Sequence, residues 1–167
     1  MKLAIIGAGN MGGATARGLL FSGAIQPADL IITDANPAAL SYFAEKGAVT
    51  TTDNKAAFDA ADVIIIVVKP WIVSKVLEQV KDCQKSGKIV VCMAAGVKPE
   101  VILPELAEDT DFMYLIPNTS IEIGESMSFI SPYRASKEAV ETVEAAEIPE
   151  ATDEVILDEA APEAPEI

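Results

Sequence analysis

A glycine-rich turn near the start of the chain has the residue types and spacing that hold a dinucleotide. Residues 7–12 read Gly-Ala-Gly-Asn-Met-Gly and directly follow the apolar run Leu3–Ile6. Gly7 permits a tight turn out of a strand, Gly9 lets the backbone approach a pyrophosphate, and Gly12 lets a helix pack closely on the strand. A helix that follows at once would direct its free N–H groups and positive dipole end at the phosphates.

An acidic residue follows this turn at a suitable distance. Asp34 comes directly after the second apolar run, Leu30–Thr33, and lies 22 positions after Gly12. A carboxylate at that place accepts a hydrogen bond from a ribose hydroxyl. The alternative is a strand–helix turn that binds nothing, but it leaves the paired spacing of the glycines and Asp34 to chance.

Apolar runs alternate with helical segments along the chain, and this alternation predicts the strands and helices that must position these residues. This pattern is typical of an α/β fold, and we predict a doubly wound, mostly parallel, Rossmann-like sheet in a single domain. The predicted strands are Leu3–Ile6, Leu30–Thr33, Ala48–Thr51, Val63–Val68, Ile89–Met93 and Phe112–Ile116, with Met127–Ile130 as a further candidate. The predicted helices are Met11–Ser22, Pro37–Lys46, Pro70–Gln84, a short one from Pro99, and Ser136–Ala146.

The composition divides the 167 residues into three parts. We predict a dinucleotide-binding domain over residues 1–135 and a helix with an edge strand, Glu154–Leu157, over residues 136–158. Residues 159–167 are rich in Ala, Pro and Glu, and we expect a disordered acidic tail. Such a tail could recruit a basic partner, although a solubilising role is the simpler interpretation.

The charge distribution argues against two classes of partner. Residues 1–137 hold all 12 Lys and Arg against 15 acidic residues, a net charge of −3, whereas residues 138–167 hold 11 acidic residues and no basic one. Nucleic acid and anionic lipid are disfavoured by repulsion. No apolar run approaches the roughly 18 to 20 residues of a membrane span, and no signal peptide is visible. We therefore expect a cytoplasmic protein that binds neither nucleic acid nor a membrane.

The cysteine and histidine content limits the chemistry available to the chain. It contains no histidine, which excludes imidazole acid–base catalysis and histidine metal sites within these residues. Cys83 and Cys92 lie in or beside apolar segments and lack metal-ligand spacing. We predict two reduced thiols and no metal site.

Polar or small residues follow each predicted strand, at the sheet edge where ligands of doubly wound proteins bind. Asn54 follows the third strand and Asn118 the sixth, and their amides could orient a ligand, although each alone is a common turn residue. Lys69 could serve as a proton donor or Schiff-base amine. A role in shaping the turn that it forms with Pro70 is the favoured interpretation.

Four motifs at these strand ends, in this order, resemble pyrroline-5-carboxylate reductase. They are Gly7–Gly12, Val68-Lys69-Pro70, Ala94-Ala95-Gly96-Val97 and Pro117-Asn118-Thr119. The resemblance runs from Met1 to about Pro132. It implies an NAD(P)H-dependent oxidoreductase of proline biosynthesis that reduces a small cyclic imine, 1-pyrroline-5-carboxylate, to proline.

The resemblance also assigns cofactor contacts to particular residues. The glycine loop with Ala8, Asn10 and Met11 would hold the diphosphate, and Asn54 would lie by the adenosine ribose. Around the other half of the cofactor, the implied contacts to the nicotinamide ribose are Val68, Lys69 and Pro70, and those near the nicotinamide are Ala95, Gly96 and Asn118.

Two departures from the family pattern limit what this chain should do. The family's substrate pocket and homodimer interface come from a C-terminal helical domain with a catalytic-site Thr or Ser, and no such segment follows here. We expect weak or no reductase activity, and the family dimer is in doubt. In addition, Asp34 is followed by Ala35 rather than a basic residue, which favours NAD(H) weakly over NADP(H).

Two alternative functions remain open from the sequence. One is the cofactor domain of another NAD(P)-dependent imine reductase or of an F420-linked oxidoreductase. The other is a non-catalytic nucleotide-binding or interaction module. Residues outside this chain would separate the enzymes, whereas deletion of residues 138–167 would test an interaction role.

Overall fold

The strands form one sheet whose order reverses beside the first strand. The computed structural model describes residues 1–117, 119–123 and 128–147. The strands lie in the order β3-β2-β1-β4-β5-β6-β7; all neighbours are parallel except β6 and β7, which are antiparallel. Their bounds are β1 Leu3–Ile6, β2 Leu30–Thr33, β3 Val49–Thr51, β4 Val63–Ile66, β5 Ile89–Cys92, β6 Asp111–Ile116 and β7 Phe129–Arg134.

Helices cover both faces of this sheet. The α-helices are α1 Asn10–Phe21, α2 Ser41–Glu45, α3 Asn54–Ala60, α4 Val73–Gln79, α5 Pro99–Ile102 and α6 Lys137–Glu147. Short 3-10 helices span Pro27–Asp29, Pro37–Leu40, Pro70–Ile72, Leu103–Glu105 and Thr119–Ile123. Each crossover between parallel strands returns the chain to the same sheet edge, so the loops after β1, β2, β4 and β5 open on one side.

The core consists of two apolar layers separated by the sheet. On one face α3, α4 and α5 contribute Phe58, Leu77 and Ile102, all of which are buried. On the other face α1 and α2 contribute Leu19 and Phe43, and α6 contributes its own buried apolar residues. Every residue of β1, β2 and β4 is buried, as strands covered on both faces require.

The predicted fold class is confirmed, while one helix was predicted too long and another was not predicted. α4 ends at Gln79 rather than at Gln84 because the chain then turns tightly, with the Cys83 N–H donating to the Val80 carbonyl. α3 was not predicted at all. Its start is defined by Asp53, whose carboxylate accepts hydrogen bonds from the N–H groups of Lys55 and Ala56 at 2.9 and 3.2 Å.

The C-terminal predictions fall partly outside the described residues. β7 continues to Arg134, beyond the predicted end at Ile130, because the proline at position 132 is tolerated on an edge strand. α6 occupies nearly the range predicted for a helix at Ser136–Ala146. The edge strand proposed at Glu154–Leu157 and the acidic tail lie outside the described residues. Within the part that is described, no helix is long and apolar enough to cross a membrane.

Candidate functional site

An open cleft of about 530 Å³ lies at the carboxyl ends of the central strands. Its floor is the loop after β1 and its walls are the loops after β2, β4 and β5. Of the predicted cofactor residues, it is lined by Gly7, Gly9, Asn10, Met11, Asp34, Val68, Lys69, Pro70 and Ala95. Nine of the fourteen predicted site residues are thus brought together. Four further lining residues were not predicted, although each is a near neighbour of a predicted one; they are Val67, Ile72, Met93 and Ala94.

The turn out of β1 requires glycine for two separate reasons. Gly7 has a φ of +109°, a conformation that residues with a side chain rarely adopt. A Cβ at this position would also lie 2.4 Å from the Val67 carbonyl oxygen. The backbone leaving β1 therefore passes directly against the backbone leaving β4, and this contact closes the floor of the cleft.

Gly9 and Gly12 have different roles in the same loop. A Cβ on Gly12 would lie 1.9 Å from the Gly7 carbonyl oxygen, so α1 packs against the loop without intervening side-chain atoms. A Cβ on Gly9 would meet nothing within 4 Å. Gly9 also precedes α1, which begins without a capping side chain and has no acidic residue in its first turn. This open cradle at a helix N-terminus fits a diphosphate.

Asp34 links the glycine loop to the end of β2. One carboxylate oxygen accepts a hydrogen bond from the Ala8 N–H at 2.9 Å, and the other accepts one from the Asn36 N–H at 2.8 Å. The side chain is half-buried and lines the cleft. A carboxylate oxygen can accept more than one hydrogen bond, so Asp34 can hold the loop and still receive a ribose hydroxyl.

Asn54 lies beside the cleft rather than in its wall. Its carbonyl oxygen accepts a hydrogen bond from the Thr33 hydroxyl at 2.6 Å, and its amide nitrogen donates one to Gln79 at 2.8 Å. The side chain therefore joins the end of β2, the start of α3 and the end of α4. Of the other predicted residues, Ala8 and Gly12 lie beneath the cleft surface, and Asn118 lies outside the described residues.

A second cleft, of about 470 Å³, adjoins the first over β5 and β6. The two share Met11, Met93, Ala94 and Ala95, and the second cleft also includes Gly96, whose φ is +75°. The Tyr114 hydroxyl donates a hydrogen bond to the Val97 carbonyl at 3.0 Å and so connects β6 to the loop after β5. The walls are mostly apolar.

Burial shifts the pKa of two titratable groups in this second cleft. Burial raises the pKa of Tyr114 to about 12, with smaller contributions from Cys92 and Glu100. Burial also raises the pKa of the Cys92 thiol. Both groups are therefore protonated at neutral pH, and they provide an uncharged floor for a ligand.

The raised pKa of Tyr114 predicts an alkaline loss of stability. In the unfolded chain this phenol ionises near pH 10, so folding becomes less favourable as the pH rises from about 10 towards 12. We expect the free energy of unfolding, measured in urea, to fall more between pH 8 and pH 11 for the native chain than for Tyr114→Phe. Tyr42→Phe, at an exposed position, is the control. Equal losses in the native chain and Tyr114→Phe would contradict this assignment.

The sheet order, the glycine loop and the cleft at the switch point define the fold of NAD(P)-dependent oxidoreductases. The chain belongs to the family described as NADP oxidoreductase, coenzyme F420-dependent, whose model matches residues 2–96, more than half of its length. Among individual proteins, it is 33% identical over 132 residues to pyrroline-5-carboxylate reductase of Methanosarcina acetivorans, a match covering 78% of this chain and 49% of the relative.

Solved structures agree with this relationship. Pyrroline-5-carboxylate reductase of Coxiella burnetii superposes with a TM-score of 0.79 at 25% identity, covering 87% of this chain and 55% of that one. Pyrroline carboxylate reductase of Plasmodium falciparum, solved with NADP bound, has the same fold, with a TM-score of 0.76 at 21% identity over 87% of this chain and 53% of that one.

The resemblance predicted from the strand-end motifs is therefore confirmed, and it is a resemblance to the NAD(P)-binding domain of pyrroline-5-carboxylate reductases. The chain spans about half the length of the curated relatives that it matches.

Proposed function

We propose that this chain binds NAD(H) in the cleft lined by the glycine loop and forms the cofactor-binding part of a pyrroline-5-carboxylate reductase. The observation that carries the proposal is the open cradle at Gly9, which lies at the uncapped start of α1 within the same cleft as Asp34 and Lys69. The relatives named pyrroline-5-carboxylate reductase support the substrate class, a small cyclic imine.

We assign the parts of the cofactor to residues in the order of the strands across the sheet, β2, β1, β4 and β5. The glycine loop with Ala8, Asn10 and Met11 holds the diphosphate, and Asp34 accepts from the adenosine ribose with Asn54 behind it. The nicotinamide ribose and ring are held by Val68, Lys69 and Pro70 in the loop after β4 and by Ala95 and Gly96 in the loop after β5. The family resemblance adds Asn118, which lies outside the described residues. When bound, the reduced nicotinamide supplies a hydride, so the protein needs chiefly to orient two rings.

We also propose a preference for NAD(H). Asp34 places a carboxylate at the end of β2, where a 2′-phosphate would add negative charge, and no ion pair neutralises Asp34 within the described ranges. Ala35, the next residue, offers no cation. Repulsion between like charges at this site weakens NADP(H).

Calorimetric titration of the chain with NADH and NADPH tests both statements. NADH should bind more tightly, and Asp34→Asn should reduce its advantage by about three- to tenfold, since the substitution removes the charge and keeps the shape. The ratio of the two affinities is compared because asparagine has a single acceptor oxygen, so either the Ala8 N–H or the Asn36 N–H loses its acceptor in this variant. The absence of binding by either nucleotide would refute the proposal, and an unchanged ratio would refute the role of Asp34.

Turnover is a separate question from binding. The second cleft adjoins the nicotinamide end but is open, so we propose that the chain alone reduces 1-pyrroline-5-carboxylate weakly or not at all. The rate at which the absorbance of reduced nicotinamide falls in the presence of the imine measures this reductase activity. Turnover equal to that of a full-length reductase would contradict it.

The family model favours a second candidate function. Its description names an NADP oxidoreductase dependent on coenzyme F420, and the match spans β1 to the loop after β5. Under this alternative the same cleft binds NADP(H), and a deazaflavin occupies the second cleft. Titration with reduced coenzyme F420 in the presence of NADP distinguishes the two candidates, because only an F420-linked enzyme should bind it.

A further inference from the structure

A single cation lies among the described residues that line the second cleft. Lys98 is the one residue of that lining with a charged side chain, and the lining includes no carboxylate from the described part of the chain. Tyr114 and Cys92, the other ionisable side chains in the lining, are both protonated at neutral pH. The second cleft therefore presents one positive charge beside an otherwise neutral, mostly apolar surface.

The Lys98 ammonium is available to a ligand. The side chain is exposed and forms no ion pair with any carboxylate in residues 1–117, 119–123 and 128–147. Glu100, two positions later, contributes to the raised pKa of Tyr114, but it does not line the cleft. An ammonium without an ion-pair partner beside an apolar cleft attracts an anionic group of a ligand.

The backbone that carries Lys98 is held on both sides. Before it, the Val97 carbonyl accepts a hydrogen bond from the Tyr114 hydroxyl at 3.0 Å. After it, Pro99 has a restricted φ, and the Lys98 carbonyl accepts a hydrogen bond from the Val101 N–H at 3.0 Å. The side chain can rotate, but it starts from a defined point on the wall of the cleft.

The position of the second cleft determines which ligand Lys98 would meet. This cleft shares four lining residues with the cofactor cleft, and Lys98 follows one of them, Ala95, by three positions in the loop after β5. Lys69, a second cation at this sheet edge, lines the cofactor cleft and not the second one. A substrate must lie against the nicotinamide to accept a hydride, so it belongs in the cleft whose wall includes Lys98.

We propose that Lys98 binds the carboxylate of the substrate and thereby orients the ring of the cyclic imine against the nicotinamide. This inference rests on the proposed function. The chain as a whole has a net charge of −14, so it repels an anionic substrate, and Lys98 supplies the local attraction. The second cleft should therefore prefer a flat ring with a carboxylate to the same ring with an uncharged carboxamide.

NMR titration of the NADH-saturated chain with pyrrole-2-carboxylate and pyrrole-2-carboxamide tests this assignment. The two probes share a flat five-membered ring and differ in charge. The native chain should bind the carboxylate about two- to fivefold more tightly than the carboxamide, the range expected for an ion pair in contact with solvent. Lys98→Met should remove this advantage and change carboxamide affinity by less than about twofold, whereas Lys98→Arg should keep most of the advantage.

Lys75→Met is the matched control, because Lys75 is an exposed lysine of α4 that lines neither cleft. It should change neither affinity. Added salt should reduce the advantage of the carboxylate in the native chain and have no such effect in Lys98→Met.

Three results would overturn the inference while leaving the proposed function intact. They are failure of the NADH-saturated native chain to bind the carboxylate, equal affinities of that chain for the two probes, and an advantage of the carboxylate that survives in Lys98→Met. A native chain that binds no nucleotide would overturn both the inference and the proposed function.

Discussion

Replacing Gly12 with alanine should destabilise the fold and abolish dinucleotide binding together. The new Cβ would lie 1.9 Å from the Gly7 carbonyl oxygen, a backbone atom that cannot rotate away. α1 would have to move away from the loop, and we expect a loss of about 3 kcal/mol in the free energy of unfolding, the upper part of the usual range for overpacking. Urea unfolding measures the first effect and calorimetry with NADH the second.

Gly9→Ala is the matched control for this prediction. Its Cβ would meet no protein atom within 4 Å, and its φ of −68° is ordinary for alanine. Stability should change by less than about 1 kcal/mol, while NADH affinity should fall by about tenfold or more because the methyl group occupies the cradle for the diphosphate. Unaltered binding in Gly9→Ala would show that the diphosphate lies elsewhere.

Replacing Gly18 with alanine should destabilise the chain at a close contact that the sequence does not indicate. A Cβ there would lie 2.0 Å from the Ile121 carbonyl oxygen, in the 3-10 helix Thr119–Ile123. Beside this contact, Arg17 and Glu122 form an ion pair at 2.6 Å, which lowers the pKa of Glu122. We expect a loss of about 2 to 3 kcal/mol in the free energy of unfolding.

Gly13→Ala separates close packing from helix propensity in this experiment. Gly13 lies in the same helix, but its added Cβ would meet the flexible end of Arg17 at 3.1 Å and the Ala8 carbonyl oxygen at 3.5 Å, an ordinary contact distance. Alanine favours a helix by up to about 1 kcal/mol over glycine, so this variant should be neutral or slightly more stable. If Gly13→Ala and Gly18→Ala behaved alike in urea unfolding, the contact with Ile121 would not explain the effect.

Much of the fold follows from the sequence because parallel strands buried on both faces must be continuously apolar. The runs around Ile5, Ile32 and Ile65 could not belong to exposed elements, and the glycine loop and Asp34 determined which sheet edge to examine. The helix boundaries that were not predicted correctly, the end of α4 and the start of α3, depend on local hydrogen bonds instead. Asp53 was not singled out in the sequence, whereas its side chain caps α3.

The details of the candidate site could be predicted less well from the sequence because they depend on contacts between distant segments. Nothing in the spacing of Asn54 indicates that its amide bonds to Thr33 and Gln79. Nor does the sequence show that Gly18 faces a carbonyl more than one hundred residues later. Neighbours of predicted residues, such as Met93, were missed because apolar types at strand ends are ascribed to the core.

The position of β1 in the sheet has a consequence for the order of folding. Leu3 pairs with Leu30 on one side and with Val63 on the other. The partner strands for the two edges of β1 are therefore synthesised at very different times. At about 5 to 20 residues per second, roughly 3 to 12 s pass between the synthesis of β1 and that of β4. The nascent chain must carry an unpaired, wholly apolar strand edge through that interval, and its vulnerability to misassociation is greatest before Val63 is made.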